Sequence, residues 1–268
     1  TAAYAAAVAA CDSQDGLVDG YLTNPGACHY DPALLQCGMA TANADPALCL
    51  TAPQVQTLKD LLAPLVLSAG TTVYSGYNWS DFSAFGPAFG ALGGGFALLA
   101  TNDPTWLTSA KQSTFNVDIH YPLFGSGLLM AGADHDLPSI AQFVASGKKL
   151  ISWHDSGDNL LSSNDHARND ATLVALIKSD GLADPSLGTR FFLVPANTHS
   201  AGQALTQVDW ASAIMDWVEK GIAPTQLTYT FKPANATTAR NLPVCLYPKN
   251  PHYNGTGDIN AASNYTCT

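Results

Sequence analysis

Hydrophobic spacing in the second half of the chain alternates between helical and extended patterns. Residues 139–146 (SIAQFVAS) predict a helix stopped by Gly147, and residues 148–153 (KKLISW) predict a buried strand that ends in the polar turn HDSGD. A second helix is predicted at 165–178 and a second buried strand at 190–194 (RFFLV). Strand, helix, strand, helix is the order typical of a parallel α/β sheet.

Two further segments have apolar residues at helical spacing. Residues 205–220 (LTQVDWASAIMDWVEK) predict a helix that stops at Gly221. The apolar side chains along one face of this helix are Val208, Ala211, Met215 and Val218. Residues 53–65 (PQVQTLKDLLAPL) have the same spacing. The apolar positions of this earlier segment are Val55, Leu58, Leu61 and Leu62.

The remainder of the first half predicts irregular structure. The first 50 residues are turn-rich and hold four of the six cysteines, which indicates a stapled segment. Residues 70–130 are dominated by Gly, Ser, Thr, Asn and aromatic residues, a composition that favours a lid or binding loops over a packed core. The longest uncharged run, 82–102, contains five glycines and a proline, so we interpret it as a buried or ligand-facing loop and helix region rather than a membrane span.

Composition narrows the class of protein. The chain has 268 residues, of which 47% are hydrophobic and 12% charged, as expected of a globular protein with a sizeable core. The chain has 21 acidic and 11 basic side chains, so its formal net charge is −10. A protein with this charge has no positive field to attract nucleic acid. Neither nucleic acid nor a membrane is an expected partner.

Cysteines and glycosylation sequons point to a secreted, extracellular protein. The six cysteines form an even set without a CxxC pair, so disulfides are expected rather than zinc. Four Asn-X-Ser/Thr sequons occur, at Asn78, Asn235, Asn254 and Asn264. The chain begins at Thr1 without a methionine, from which we expect a removed targeting segment or a longer precursor.

Two candidate catalytic residues follow the two predicted strands. Asp158 comes after the first strand and His199 after the second, where the sites of open α/β sheets lie. A carboxylate that positions a histidine is the general-base part of a nucleophilic triad, and acid before histidine is the chain order of α/β-hydrolases. The open alternative is that Asp158 caps the following helix and His199 is a surface loop residue.

No motif supplies the nucleophile of such a triad. The pattern GxSxG is absent, and neither Ser126 in FGSGL nor Ser156 in HDSGD follows a strand on a sharp turn into a helix. Either the nucleophile lies on a segment outside this chain, or Asp158 and His199 are not catalytic.

Three aspartates lie within eight positions of the stretch CDSQDGLVDGYL: Asp12, Asp15 and Asp19. Calcium binds about six to eight hard oxygen ligands, and carboxylates so close together repel one another without a cation. Gly16 and Gly20 permit a tight backbone path. The spacing departs from that of an EF-hand loop, so an exposed acidic turn is the alternative.

Four separated segments resemble the fungal tannase and feruloyl esterase family. CDSQDGLVDGYLTNPGACHYDPALLQC is similar to the family's CDxxDGxxDG and CxFDP…LxC segments. LISWHDSGDNLLSS resembles the acid loop LxxYHGxxDxxIPP, and RFFLVPANTHSAG resembles the histidine loop RxFxVPGxxHC. The tail MDWVEKGIAP…LPVCLYPKNPHYNGTGD…YTC resembles ALxDWVExGxAP…RPLCPYPxxxxYxGxGD…FxC. The resemblance covers almost the whole chain.

The resemblance implies an α/β-hydrolase fold, of which this chain is the C-terminal portion with a large calcium-binding lid domain. Residues 1–137 would be the lid, with the calcium site and two disulfides, and residues 138–268 the C-terminal part of the catalytic domain. It implies that a structural Ca²⁺ is bound by the aspartates and two backbone carbonyls. These ligands are Asp12, Asp15, Leu17, Asp19 and Tyr21. The implied disulfides are Cys11–Cys28, Cys37–Cys49 and Cys245–Cys267.

The implied activity is that of a secreted serine carboxylic ester hydrolase acting on aromatic acid esters, feruloyl or hydroxycinnamoyl or galloyl. Asp158 and His199 would be the acid and base of its triad. The serine of the family lies in a CSxGG elbow, here on a separate upstream chain or segment of the same precursor, which is the expected partner. This chain alone would not hydrolyse an ester.

Three departures from the family pattern favour an alternative. Ser200 follows His199 where the family has cysteine, Asp155 stands where the acid loop has glycine, and residues 196–198 replace a GMG-like run. The alternative is a non-catalytic or divergent homologue that binds an aromatic metabolite or a partner chain. A calcium-dependent carbohydrate binder is a weaker alternative, because no regularly spaced aromatic platform supports it.

Overall fold

The computed structural model of the chain describes residues 2–43, 45, 48–84, 86–130, 136–195, 198–199, 207–231 and 238–268. Helices dominate the first half, and the longer strands lie in the second. The helices are α1 (Ala2–Cys11), α2 (Ala52–Leu62), α3 (Gly86–Thr101), α4 (Ser109–Gln112), α5 (Val117–Met130), α6 (Leu137–Ala145), α7 (Ser163–Ser179) and α8 (Trp210–Lys220). The strands are β1 (Leu65–Val66), β2 (Thr72–Tyr74), β3 (Leu150–Asp155), β4 (Thr189–Val194), β5 (Gln226–Phe231), β6 (Arg240–Cys245), β7 (Pro251–Tyr253) and β8 (Tyr265–Cys267).

The sheet at the centre of the second half contains the two predicted strands. β3 and β4 pair in parallel along their full length, from Leu150 opposite Thr189 onward, which confirms the predicted arrangement. An antiparallel bridge between Phe192 and Leu246 joins β4 to the end of β6, and β6 pairs antiparallel with β5. The parallel pair is therefore continued on one side by the tail of the chain.

A hydrophobic core fixes the end of β4 against the tail strands. Phe192 and Val194 of β4 are fully buried, together with Leu242 and Val244 of β6. Burying side chains of this size stabilises a fold by about 1.5–3 kcal/mol each relative to leaving them in water. The segment that leads to His199 therefore starts from a rigid point.

The helices on either side of β3 follow their sequence signals. α6 begins after Asp136, whose side chain accepts the backbone N–H of Ser139, and the chain turns out of the helix at Gly147, which has φ of 91°. α7 begins after Ser162, whose hydroxyl accepts the backbone N–H of Asp165. Both capping bonds satisfy orphan N–H groups of the first helical turn. The predicted helices at 139–146 and 165–178 are confirmed to within two residues.

α8 stops at Gly221 as predicted, but it begins at Trp210 instead of residue 205. Of the four residues expected on its apolar face, only Val208 is buried, and it precedes the helix. Met215 and Val218 are 50% and 62% exposed, and the buried residue of this helix is Trp217. The charged groups of Lys149 and Arg190 lie over the Trp217 ring, 5.4 and 4.9 Å from its centroid. A large aromatic ring that contacts two cations is therefore buried in place of the smaller apolar residues.

The first half of the chain is more helical than its composition indicates. Ala2–Cys11 forms α1 where irregular structure was expected, because its alanine-rich stretch has high helix propensity and buries Ala7. Residues 70–130 also contain more helix than the predicted binding loops, namely α3 and α5, of which α3 agrees with the loop and helix region expected at 82–102. The prediction takes the glycines as a sign of loops, but Gly94 lies within α3. A Cβ at this position would come within 2.5 Å of the Trp106 carbonyl oxygen. Glycine permits this close packing of a helix on its neighbour.

α2 confirms the helix predicted at 53–65. Thr51 and Gln54 form a capping box at its start, and Val55 is buried. Across the described ranges, no helix is both long and apolar enough to cross a membrane. The boundary between residues 137 and 138 remains a prediction.

Candidate active site

Asp158 lies in the turn that follows β3. Its Oδ1 accepts hydrogen bonds from the backbone N–H groups of Leu160 and Leu161, both at 2.8 Å. The carboxyl side chain is only 5% exposed. Because Ser162 caps α7, the alternative in which Asp158 is that helix cap is wrong.

His199 follows β4 and reaches the same carboxylate. Its Nδ1 lies 2.9 Å from Oδ2 of Asp158, although the two residues are 41 positions apart. The parallel register ends with Asp155 opposite Val194, so the loops after both strands emerge at one edge of the sheet. The carboxylate holds a proton on Nδ1 and leaves Nε2 of His199 as a proton acceptor. The structure therefore brings together the predicted acid and base.

Hydrogen bonding keeps Asp158 ionised in a buried site. Burial acts to raise the pKa of its carboxyl, but donors around the carboxylate outweigh this effect and the pKa lies below its ordinary value. In order of effect, these donors are His154, the Leu161 N–H, His199 and the Leu160 N–H. An ionised carboxylate is the form that orients a histidine and stabilises its cation.

Residues 77–81 (YNWSD) anchor the first half of the chain to the acid loop. The Ser80 hydroxyl donates to the Gly157 carbonyl at 2.5 Å, and the Tyr77 hydroxyl donates to the Leu160 carbonyl at 2.9 Å. In the opposite direction, Asn159 Nδ2 donates to the Asp81 carbonyl at 2.7 Å. Sequence reasoning missed these contacts, for which the only signal was a run of polar and aromatic residues after β2.

Ser156, the candidate serine whose side chain the structure describes, is not an activated nucleophile. Ser156 is 2% exposed, and its hydroxyl has no hydrogen-bond partner within the described part of the chain. The Ser126 side chain, Ser200, Ala196 and Asn197 lie outside what the structure describes, so the effect of the predicted departures in the histidine loop stays a prediction.

The three clustered aspartates are bonded mainly to N–H donors. Asp12 Oδ2 accepts the Gly20 N–H at 2.8 Å, and Asp15 Oδ1 accepts the Leu17 N–H at 3.0 Å. Asp19 is paired with Arg240, whose Nη1 lies 2.5 Å from Oδ2. Asp12 and Asp15 are buried, so the alternative of a solvent-exposed acidic turn does not describe them.

Carboxylate and carbonyl oxygens are the ligands that calcium prefers, but the three aspartates are not arranged around a common metal position. Burial raises the pKa of Asp15 and of Asp19, and repulsion from Asp12 raises both further, which a cation would relieve. Yet among the residues that the structure describes, no three Asp, Glu, His or Cys side chains are grouped to hold a metal ion. Calcium therefore enters only as a proposal.

All three implied disulfides are confirmed, and they staple the segments around these sites. Cys11–Cys28 closes the aspartate turn, Cys37–Cys49 closes the next loop, and Cys245–Cys267 ties β6 to β8. Bridges of this loop size restrict the unfolded chain and typically stabilise a fold by about 2–4 kcal/mol each.

The sequons differ in their suitability for a glycan. Nδ2 of Asn78, the atom that a glycan would modify, donates to the Ser156 carbonyl and the Ser163 hydroxyl, and a glycan would replace one of the two hydrogens that these bonds use. Asn254 is exposed, whereas Asn264 uses its Nδ2 on the Asp258 carbonyl. Asn235 lies outside the described residues. The fold thus argues against modification at Asn78 and favours Asn254.

Known proteins resemble this chain in both sequence and fold. Mono(2-hydroxyethyl) terephthalate hydrolase of Piscinibacter sakaiensis is 28% identical over 301 residues, which cover 96% of this chain and 49% of that protein. A probable feruloyl esterase of Arthroderma benhamiae is 26% identical over 98% of this chain and 51% of its own length. The chain spans about half the length of these relatives.

Two solved structures define the fold. Feruloyl esterase B of Aspergillus oryzae aligns with a TM-score of 0.77 at 20% identity, covering 100% of this chain and 57% of its own. Tannin acyl hydrolase of Aspergillus niger aligns with a TM-score of 0.72 at 21% identity, covering 100% and 52%. The fold is accordingly α/β-hydrolase-like. The sequence profile described as "Tannase and feruloyl esterase" matches residues 2–117 and 125–268, and the chain belongs to that family of carboxylic ester hydrolases.

Proposed function

We propose that this chain supplies the acid and base of a serine carboxylic ester hydrolase that acts on esters of aromatic acids. The observation that carries the proposal is the 2.9 Å contact between His199 Nδ1 and Asp158 Oδ2 at the carboxyl edge of two parallel strands. Membership of a family described as tannase and feruloyl esterase supports an ester hydrolase. The serine lies on an upstream segment of the same precursor.

The proposed reaction is acyl transfer in two steps. The serine oxygen attacks the ester carbonyl while its proton passes to Nε2 of His199, and the imidazolium then gives that proton to the leaving alcohol. Water repeats the sequence on the acyl-enzyme, and the acid is released. Asp158 stays ionised throughout and stabilises the His199 cation from the opposite side of the ring.

Two features support an upstream partner segment. The match covers about half of each relative's length, so the relatives contain further residues outside the matched region. Within the described residues β3 pairs only with β4, and its side chains from Leu150 to His154 are half-buried. Isolated parallel pairs are rare because both faces and edges of parallel strands are normally covered. A strand from the upstream segment would complete this edge.

An aromatic acid as the substrate is supported by the relatives and by an apolar cavity near the acid loop. The relatives' names specify terephthalate and feruloyl esters. A cavity of about 610 Å³ is lined by Tyr4, Trp79 and Phe82 together with aliphatic residues of α2. Ser80 and Asp81, which bond the acid loop, also line it. Aromatic walls in a cavity that adjoins the acid loop through Ser80 and Asp81 support a flat aromatic group as the ligand.

The test compares the precursor that includes the upstream half with the 268-residue chain alone. We expect the precursor to hydrolyse methyl ferulate or methyl gallate faster than methyl acetate, and to be labelled on serine by a fluorophosphonate. The separate chain should show neither property. A folded precursor that is neither labelled nor active on any of these esters would favour the non-catalytic homologue instead.

We propose that the protein is secreted, glycosylated at Asn254 and stabilised by Ca²⁺. Three disulfides and the exposed sequon support the secretory route. Calcium would bind Asp12, Asp15 and Asp19 with the carbonyls of Leu17 and Tyr21, and the mutual repulsion of the carboxylates supports it. Its role would be structural, since the reaction steps use only the triad.

Calcium removal should destabilise the protein in a pH-dependent way. Without metal, the raised pKa values of Asp15 and Asp19 mean that their contribution to stability falls as pH rises through their titration. Bound calcium would lower these pKa values, so the contribution of the two aspartates to stability would then rise with pH. We expect chelation to lower Tm more at pH 7 than at pH 4.5, measured by scanning calorimetry with calcium restored as a control. An unchanged Tm at both pH values would contradict calcium binding, and the three aspartates would then form a buried acidic turn without a metal.

A further inference from the structure

A second histidine faces the carboxylate of Asp158. His154, on β3, places Nε2 3.5 Å from Oδ2 of Asp158, the same oxygen that His199 Nδ1 approaches. The same Nε2 lies 3.2 Å from the Leu161 carbonyl oxygen. The His154 side chain is 14% exposed, compared with 35% for His199. The more buried of the two imidazoles is therefore the one that the proposed reaction does not use.

The partners of His154 determine where its proton lies. Both groups near Nε2 are acceptors, so Nε2 carries a hydrogen. That hydrogen is bonded to the Leu161 carbonyl at 3.2 Å, and the carboxylate oxygen of Asp158 at 3.5 Å is a longer electrostatic contact of the same N–H group. Nδ1 of His154 lies 3.0 Å from Nδ1 of His166 on α7. When His154 is neutral its Nδ1 is an acceptor, and the hydrogen of this contact belongs to His166. With one hydrogen on Nε2 of His154 and one on Nδ1 of His166, each of these contacts joins a donor to an acceptor.

His166 is held in place by its own packing. Its ring stacks on Phe191 with centroids 4.5 Å apart and planes at 21°, and it meets the His154 ring edge-on at 5.2 Å. Phe191 belongs to β4 and is buried. The two imidazoles thus form a fixed unit between α7 and the sheet.

Carboxylates outnumber basic groups around the two imidazoles. Arg168 of α7 is ion-paired with Asp165, and burial raises the pKa of Asp170 to about 6. Tyr77 approaches from the segment after β2. The titratable groups of the neighbouring elements are Asp155 of β3, Asp158 of the acid loop, His199 of the histidine loop, Asp165, Arg168 and Asp170 of α7, and Tyr74 and Tyr77 beside β2.

We propose that His154 is a positioning residue for Asp158, and that His166 fixes the tautomer in which the Nε2–H group of His154 lies against both the Leu161 carbonyl and Oδ2 of Asp158. This inference rests on the proposed function, since it assumes that Asp158 orients His199. Oδ1 is already held by the N–H groups of Leu160 and Leu161. The N–H group of His154 beside Oδ2 restrains the second oxygen, which is the one that His199 Nδ1 approaches. It also stabilises the ionised carboxylate, in agreement with the lowered pKa of Asp158.

The test uses the active precursor with two substitutions of one side chain. His154→Leu removes the donor, whereas His154→Gln places an amide N–H near the position of Nε2. Loss of a hydrogen bond to a charged group predicts a fall in kcat of about 10–100-fold for His154→Leu with KM changed less than about twofold. His154→Gln should recover most of the loss. The exposed lid residue His29 offers a matched control, His29→Gln, which should leave kcat unchanged.

The pH profile distinguishes positioning from simple packing. In His154→Leu, Asp158 loses a donor that lowers its pKa, so the acid-side fall of kcat/KM should move to higher pH. His154→Gln should keep the wild-type profile. Equal losses in both variants with no movement of the profile would overturn the proposal, because they would indicate a role in packing alone.

Nitrogen-15 NMR of histidine-labelled precursor tests the tautomers without any activity. We expect the Nε2–H form of His154 and the Nδ1–H form of His166 in the wild type, and a mixed His154 population in His166→Phe, which keeps an aromatic ring on Phe191. A His154 that is unprotonated at Nε2, or unaffected by His166→Phe, would overturn the proposal. A precursor that shows the expected tautomers but hydrolyses no ester would instead contradict the proposed function.

Discussion

Replacing His199 by alanine in the active precursor should lower kcat by at least about 10³-fold, because the serine then lacks its general base and the alkoxide leaving group lacks its acid. The contact between His199 and Asp158 carries this expectation. KM should change little, since His199 bonds a reacting group and not the substrate's acyl part. Steady-state kinetics on an aromatic ester, with active sites counted by fluorophosphonate titration, measure the effect.

Asp158→Asn is the companion variant for this experiment. An amide in that position cannot hold the Nδ1–H tautomer of His199 as a carboxylate does, so kcat should fall by a comparable factor. The two losses should not add in the double variant, because residues that act as one unit are non-additive. Near wild-type turnover in either single variant would remove that residue from the mechanism.

Arg240→Leu should destabilise the fold more than other single substitutions of a charged residue described above. Arg240 is 4% exposed and bonds Asp19 through Nη1, the Tyr265 hydroxyl through Nη2 at 2.7 Å, and the Ile259 carbonyl. Removing it leaves the carboxylate of Asp19, itself 10% exposed, without its cation. Breaking a buried ion pair in this way costs about 3–5 kcal/mol, which denaturant unfolding of the precursor would measure.

A double variant separates the charge effect from lost packing. Asp19→Asn combined with Arg240→Leu removes both charges and should recover part of the loss. Arg168→Leu provides the control, because its ion pair with Asp165 is more exposed and should be worth no more than about 1 kcal/mol. If the double variant is no more stable than Arg240→Leu, the unpaired charge is not the cause. Added calcium should reduce the loss if it replaces the guanidinium beside Asp19.

The parts predictable from sequence were those with strong local signals. β3 and β4 are short apolar runs between polar turns, and their parallel pairing follows from the helix between them. Asp158 and His199 could be selected because the ends of such strands meet at one edge. The contact itself depends on register across 41 residues, which the sequence does not contain locally.

The remainder depends on long-range packing that spacing does not reveal. Trp217, rather than Met215 or Val218, became the buried residue of α8 because Lys149 and Arg190 converge on its ring. Asn78 matched a glycosylation sequon, but its amide is used inside the fold. His154 lay within a recognised motif, yet its partner His166 became visible only with α7 in place.

The hydrogen bonds between residues 77–81 and the acid loop limit how this architecture tolerates recombination. A lid that contacts the catalytic domain only through its two chain ends could be exchanged as a whole between relatives. Such an exchange would alter the substrate preference without disturbing the triad. Here the Ser80, Tyr77 and Asp81 contacts end on residues that flank the acid of the triad. Residues 77–81 and the acid loop therefore form one packed unit, and an engineered exchange between relatives should transfer residues 156–163 together with the first half of the chain.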